Sequence, residues 1–462
     1  MISPEQFIRT TLPEAKIEGA VTDLLFSIDT RTLQPGEIFV ALEGGQTDGH
    51  LFIREALLRG ASGIMIAASK RALLDTVDQA LKAKSAIIIV PNPSQALLQL
   101  AQSWRAQFSY SVICVTGSVG KTSTKESIAH LLSCAGWRVH ASVGNQNTLY
   151  GLALNILRMR PEHQVAIFEL GISKPGEMAR LAAIARPTIG VITGVGHAHM
   201  EALGSVQHIA AEKRDIFKYF GEDNIGIVNG DQAVLAGVAY NHPIIKFGSK
   251  TTNQIQARKI EGTKDGMAFT LKWYGKKQDV CIAKRHSGAV FNSLATVAVG
   301  HLLNVDDEVI LRSIQEPIAI EGRFQECRLK DGKGILINDC YNANPESMKA
   351  ALIAFQNMEV QGTKIAVIGD MLELGQTSPF WHRQIGRFMR KAPAVRTVIL
   401  VGSLVKWTQK TLPLAVQVTH VSSWQEAVTA LESQLQSNAV VLVKGSHGMQ
   451  LQKMVDLLVE KI

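Results

Sequence analysis

The chain has 462 residues, two to three times the usual domain length, and its 46% hydrophobic content can supply a separate core in each of about three domains. Forty-eight lysines and arginines against 40 acidic residues leave a formal charge of +8, but no like-charged run occurs, which argues against a basic nucleic-acid arm and suits an enzyme of anionic small-molecule substrates. No stretch approaches the eighteen or so apolar residues of a membrane span, and the amino terminus lacks an apolar signal core, so a cytoplasmic protein is expected.

Short β-branched runs alternate with helical patterns almost throughout, as in parallel sheets covered by helices. AIIIV at 86–90 closes a first region, and PNPSQALLQLAQSW leads through a helix into a strand at 111–116. The second region continues with strands at 164–170, 188–193 and 224–228, and its tail at 265–282 alternates like antiparallel strands. A third region restarts the pattern at 334–339, 364–370, 396–402 and 439–445, a spacing that suits successive βα units. QEPIAIEGRF, 315–324, with its proline and glycine, is the hinge candidate. The reading is α/β in three domains: 1–105, 106–316 and 317–462. The five cysteines, Cys114, Cys134, Cys281, Cys327 and Cys340, are scattered without a CxxC pair and read as reduced, mostly buried thiols.

In TGSVGKTST, Gly117 and Gly120 permit a tight turn whose amides point at an anion, and the following helix adds its positive end. Lys121 would reach the outer phosphates of a nucleotide triphosphate, and the Thr122 hydroxyl would take one magnesium position. The general phosphate-loop pattern has glycine where this chain has Val115, so the match is to a shorter GxxGKT form. Its context fits: a buried-type strand precedes it, and Ile128, Leu131 and Leu132 share one face of the helix that follows.

Further polar groups fall where strands of the second region end, the ligand-binding edge of open α/β sheets. Glu169 ends the apolar run VAIF, and a carboxylate there suits magnesium. His197 and His199 follow the next strand as metal ligands or orienting groups. Lys213, on a helix in IAAEKRDIF, reads by itself as a solvated charge.

With these residues stand GNQNTLYGLALNIL, FELGISKPGEM, GVGHAHMEALGS, EGRFQ, NDCYNANPESM, VIGDMLELG and LVKGS, in an order that resembles the Mur ligases over nearly the whole chain. SIDTRTLQPGEIFVALEGGQTDGHLFIREAL resembles that family's uridine-nucleotide region. The resemblance implies a small α/β uridine-nucleotide domain, a central P-loop ATPase-like parallel sheet and a C-terminal Rossmann-like domain. It also implies a monomeric ligase that uses ATP and magnesium to join D-alanyl-D-alanine to UDP-N-acetylmuramoyl-tripeptide through an acyl phosphate, the last cytoplasmic step of peptidoglycan precursor synthesis. Another Mur-type ligase, a folylpolyglutamate synthetase, which lacks the first domain, and a non-catalytic nucleotide switch are the alternatives.

The same resemblance implies roles for single residues. Gly117, Ser118, Val119, Gly120, Lys121, Thr122 and Ser123 would cradle ATP, with Thr122 and Glu169 on magnesium. His197 matches a second metal site, and Lys213 matches a lysine carried as a carbamate; with Lys121 and Arg323 these form the catalytic set. Asn292 matches an adenine contact, while Arg323, Asp339, Tyr341 and Asn342 match the hinge arginine and the ribose and adenine contacts from the third domain. Asp29, Thr30, Arg31, Gly49 and His50 match the uridine-nucleotide region, and Asn145, Asn147 and Thr148 match a loop near the muramoyl peptide. Three departures stand out: Gly288 where a histidine is common, with His286 two places earlier; His447 where many members have arginine; and Thr148 and Ala153 where asparagine and proline are frequent.

Overall fold

The computed structural model describes residues 2–45, 47–144, 146–264 and 266–460, and these form three sheets in succession along the chain. The runs expected as strands all form strands, with ends within a residue of those read from the sequence. The first sheet runs in the order Lys16–Glu18, Ala86–Val90, Gly63–Ala67, Ile38–Val40, Phe26–Ser27, and only its first pairing is antiparallel.

In the nine-stranded central sheet, Ser111–Thr116 lies between Val165–Glu169 and Ile189–Ile192, with Ile225–Asn229 next and all of these pairings parallel. The far edge is an antiparallel meander of Ile255–Gly262, Met267–Trp273 and Lys276–Ile282, as the alternation at 265–282 indicated. The sheet is covered on both faces. Val112 and Cys114 pack to one side and Ile113 and Val115 to the other, the two-residue period of a strand read into two cores. The six-stranded third sheet sorts its side chains likewise: Ala366 and Ile368 join one cluster, Ile365 and Val367 the other.

The expectation of a separate core for each domain holds only in part. One apolar cluster runs from the first sheet (Val40, Met65, Ile88) through the helix Pro93–Arg105 (Leu97, Leu100, Trp104) and the helix Leu149–Leu157 to the central sheet (Phe168, Ile192). The cause is in the helix Pro93–Arg105, whose Leu97 and Leu100 are fully buried and belong to the cluster shared by both sheets. The third sheet's two clusters stay apart from the rest. Of the cysteines, only Cys114 and Cys340 are buried; Cys281 is exposed on the edge strand and Cys134 and Cys327 are half-buried, so the mostly buried set does not hold. Among the described residues no helix is long and apolar enough to cross a membrane.

Arg105 locks the shared core. Its guanidinium, 7% exposed, donates to the carbonyls of Phe108 at 2.7 Å, Ala185 at 2.8 Å and Arg186 at 3.0 Å, closing the carboxyl end of the helix Glu177–Ala185. Arg105→Met orphans these acceptors and is expected to lower stability by roughly 3 kcal/mol. Urea unfolding followed by tryptophan fluorescence, with Trp104 as the adjacent reporter, checks it; an unchanged midpoint would show that the acceptors find other partners.

Candidate active site

The strand Ser111–Thr116 delivers the chain into the turn 117–120, and the helix Lys121–Cys134 leaves from it. Gly120 has φ +81°, and a Cβ there would lie 2.6 Å from Asn292 Oδ1; at Gly117 a Cβ would lie 1.9 Å from Thr193 Oγ1. Only glycine fits either place. The next strand's exit holds the loop: Ser118 N–H donates to the Gly194 carbonyl at 2.7 Å and the Thr193 hydroxyl to the Val119 carbonyl at 2.6 Å. Lys121 Nζ donates to the Gly117 carbonyl at 3.0 Å, so the ammonium is folded over its own loop.

The loop forms part of a cleft of about 710 Å³ that Glu169, Asn292, Arg323, Asp339 and Lys444 also line. Glu169, 1% exposed, ends the strand Val165–Glu169; its Oε1 accepts from Asn147 Nδ2 at 2.7 Å, and its Oε2 is buried with no hydrogen-bond partner. Lys213, 1% exposed at the end of the helix Val206–Arg214, donates no hydrogen bond and makes no ion pair through its ammonium among the described residues. Burial holds its pKa well below the ordinary lysine value, and the nearby Lys121 charge pushes the same way against Glu212 and Glu169. Burial also lowers Lys121, with Glu169 opposing it. Lys121 and the half-satisfied Glu169 carboxylate line the cleft, with Lys213 buried nearby and outside its lining, an electrostatically incomplete arrangement that suits an anion with a divalent cation.

The third domain closes the other side. Arg323 donates to Thr122 Oγ1 at 3.3 Å, and its guanidinium lies 3.9 Å from the Tyr341 ring centroid. Asp339 accepts from the buried Lys444 ammonium at 2.7 Å and from Phe324 N–H at 3.1 Å. Asn342 and Asn344 line the cleft, and Asn344 Nδ2 donates to the Ser118 carbonyl at 3.3 Å. His197 faces outward from the floor: its Nδ1 meets Glu346 Oε1 at 2.5 Å and its ring centroid stands 4.1 Å from that of Trp381. His199 pairs with Glu373 at 2.6 Å, a contact that also holds the Glu373 carboxyl below its ordinary pKa.

Ser118, Val119, Gly120, Lys121 and Ser123 line the cleft with Asn147 and Thr148, whereas Gly117 and Thr122 are not among its lining residues. Thr148 also caps the helix Leu149–Leu157, accepting from Gly151 N–H at 3.4 Å. The uridine-region set is not brought to the cleft. Arg31 folds back on Asp29 in a bidentate pair at 2.6 and 2.9 Å, and Thr30 is buried. Gly49 opens a short helix in which His50 spends both ring nitrogens, on Asp48 at 2.6 Å and on Ala67 N–H at 3.0 Å. Asn145 lies outside the described residues. At the departures, His286 caps the helix Ser287–Leu302 and lines the cleft beside Asn292; burial pushes its pKa down to about 4. The His447 ring stands 6.1 Å from that of Tyr341.

Glu346, Lys444 and His286 carry chemistry that the sequence reading did not assign. The first two sit inside NDCYNANPESM and LVKGS, but a carboxylate reaching His197 across 149 residues leaves no periodic signal.

Comparison with known proteins agrees with this layout. Family models match in succession: "Mur ligase family, catalytic domain" over residues 25–105, "Mur ligase middle domain" over 115–300 and "Mur ligase, glutamate ligase domain" over 322–447. The UDP-N-acetylmuramoyl-tripeptide--D-alanyl-D-alanine ligase of Bacillus subtilis (strain 168) is 31% identical, covering 98% of this chain and 97% of its own length. A crystal structure of MurF from Acinetobacter baumannii superposes with a TM-score of 0.82 at 25% identity over 99% of this chain and 98% of that one. The MurF ligase of Thermotoga maritima in complex with ADP gives 0.77 at 27% identity over 94% and 98%. A phosphate loop facing a cleft that a third domain closes, matched from end to end by relatives of this kind, places the chain in the Mur ligase family.

Proposed function

We propose that the chain is an ATP-dependent amide ligase that joins D-alanyl-D-alanine to UDP-N-acetylmuramoyl-tripeptide. The observation that carries the reading is the single cleft in which the phosphate loop and Glu169 of the central sheet face Arg323, Asp339 and Asn342 of the third domain. The relatives' names supply the two substrates. The uridine nucleotide is assigned to residues 1–105, with contacts from Asp29, Thr30, Arg31, Gly49 and the His50 turn. ATP is assigned to 106–316, with closure from 317–462, and the enzyme works as a cytoplasmic monomer on water-soluble substrates.

The tripeptide carboxylate attacks the γ phosphorus of ATP, the bond to the bridging oxygen breaks, and ADP leaves an acyl phosphate. The amine of D-alanyl-D-alanine then attacks the acyl carbon, loses a proton, and phosphate departs. Attack of an anion on an anion needs charge neutralisation and alignment. Loop amides and Lys121, released from the Gly117 carbonyl, hold the phosphates, and Asn147 and Thr148 present the peptide beside Glu169. Asn292, Asp339, Tyr341 and Asn342 hold the nucleoside, and Arg323 excludes water from above the loop.

Magnesium fits this donor set, because Glu169 Oε2 is a buried acceptor with no partner and Thr122 offers a hydroxyl. Bound there, it supplies further neutralisation of phosphate charge. His197 would serve a second metal position: Glu346 on Nδ1 leaves Nε2 as the acceptor, the usual arrangement of a metal-binding imidazole. Burial, which lowers the Lys213 pKa, favours the neutral amine that can add carbon dioxide and release a proton, giving a carbamate whose oxygens are further hard donors. A nucleotide switch would leave Lys213 and Glu169 without a shared task.

Phosphate release is expected only with ATP, magnesium, the muramoyl tripeptide and D-alanyl-D-alanine together. Release without the peptide sinks the ligase reading, and faster release with a single amino acid or glutamate favours another ligase of this architecture.

Lys213→Ala is expected to cut ligation roughly a hundredfold and to remove a carbamate resonance seen by 13C NMR in labelled bicarbonate; full activity in a folded variant refutes the role. The sign of the pH effect follows from the lowered pKa. The unfolded chain binds a proton that folded Lys213 lacks, so wild-type stability rises with pH from the depressed folded value up to 10.5, and the variant loses that slope.

A further inference from the structure

On the opposite end of the phosphate-loop helix from Lys121, three donor atoms of different chemistry converge. His130 and Cys134 stand four residues apart on one face of the helix Lys121–Cys134, and Glu316 caps the helix Asp307–Gln315 that packs beside it. His130 Nε2 is 2.7 Å from Glu316 Oε2, and Cys134 Sγ is 3.5 Å from that nitrogen and 3.8 Å from that oxygen. A tetrahedral zinc ion, about 2.0 Å from nitrogen and oxygen and about 2.3 Å from sulfur, spaces such donors by roughly 3.3–3.5 Å. The two sulfur edges are therefore close to the required length, but Sγ also lies 4.0 Å from His130 Nδ1, beside the ring, so binding needs the imidazole to turn its Nε2 toward the sulfur as the third edge opens by about half an ångström.

Charge and access agree with the spacing. A thiolate and a carboxylate neutralise a divalent ion, and imidazole, thiolate and carboxylate together suit a borderline cation better than a hard one. Arg312 Nε lies 3.9 Å from Glu316 Oε1, the other oxygen, which leaves Oε2 to face the ring and the sulfur. The His130 and Glu316 side chains are 29% and 41% exposed, so an ion can enter and water can take the fourth position. The one comparable grouping among the described residues, Glu43, Asp48 and His50, is already filled: the Lys70 ammonium sits 3.1 Å from Asp48 and 3.8 Å from Glu43, and both His50 nitrogens are engaged.

We propose that His130, Cys134 and Glu316 form a binding site for a divalent cation of the zinc class, separate from the catalytic cleft. Such an ion cross-links the phosphate-loop helix to the last residue before the 317–324 linker that carries Arg323. It fixes the anchor point of the linker without touching either substrate.

The test uses the full-length, nucleotide-free protein and cobalt(II) as a spectroscopic stand-in. One equivalent is expected to give tetrahedral visible bands and a thiolate-to-cobalt charge-transfer band, both bleached by one equivalent of zinc but not by excess magnesium. Cys134→Ser abolishes the charge-transfer band, and Glu316→Gln weakens cobalt binding by about tenfold or more, with folding checked by circular dichroism. Absence of the band in the wild type overturns the site. So does its persistence in Cys134→Ser, which would assign it to another cysteine, or unchanged affinity in Glu316→Gln.

Discussion

Lys121, half-buried in the cleft, and Lys213, buried behind it, each lower the other's tendency to hold a proton, and the site's electrostatics follow from that pairing. Burial alone disfavours each charge, and proximity disfavours both at once. Glu169 offsets part of this but leaves one oxygen without a partner. The strand that leads into the loop, Ser111–Thr116, is an interior strand of its sheet and buried on both faces. The site is completed by what binds there, so affinity for phosphate and the capacity to lose an ammonium proton come from one electrostatic deficit.

The three sheets are joined by two different kinds of interface. Between the first and second, a continuous apolar cluster, flanked by the Arg158–Glu37 and Arg160–Asp23 ion pairs, fixes one relation. Between the second and third, the named contacts are polar: Arg323 to Thr122, Asn344 to Ser118, His197 to Glu346 and His199 to Glu373. Each can exchange with water at small net cost. The first sheet is thus fixed to the sheet that carries the phosphate loop, while the third sheet, held by polar contacts, is the part more free to lift from the cleft.

Strands that are buried on both faces were legible because apolar β-branched runs leave few other readings; AIIIV, KIAVIGD and AVVLVKG are examples. Val139–Ala141 and Gln417–Val421 were not, being short or half-exposed at sheet edges with no apolar face to announce them. The phosphate loop was legible for a different reason: its glycines and lysine act locally, within a few residues. Lys213 was singled out only through the family resemblance; its burial, which lowers its pKa, depends on walls contributed by other elements and leaves no mark in IAAEKRDIF. Glu346 and Lys444 escaped because their partners come from distant parts of the chain, and the burial of His286, a local helix cap, likewise depends on distant elements. The two ring nitrogens of His50, used internally, likewise could not be read from DGH.

The shared core has a consequence for how the chain is made. One face of the first sheet is closed by its own segments, among them Ile53, Ala56 and Leu57. The other, with Met65 and Ile88, is closed by the helix Pro93–Arg105 and then by Leu152 and Ile156, which leave the ribosome some sixty residues later. At synthesis rates of about 5–20 residues per second, that apolar surface stands partly uncovered for several seconds. The amino-terminal sheet is first to emerge and yet cannot finish folding first, so the nascent chain is most in need of protection while the phosphate loop itself is being translated.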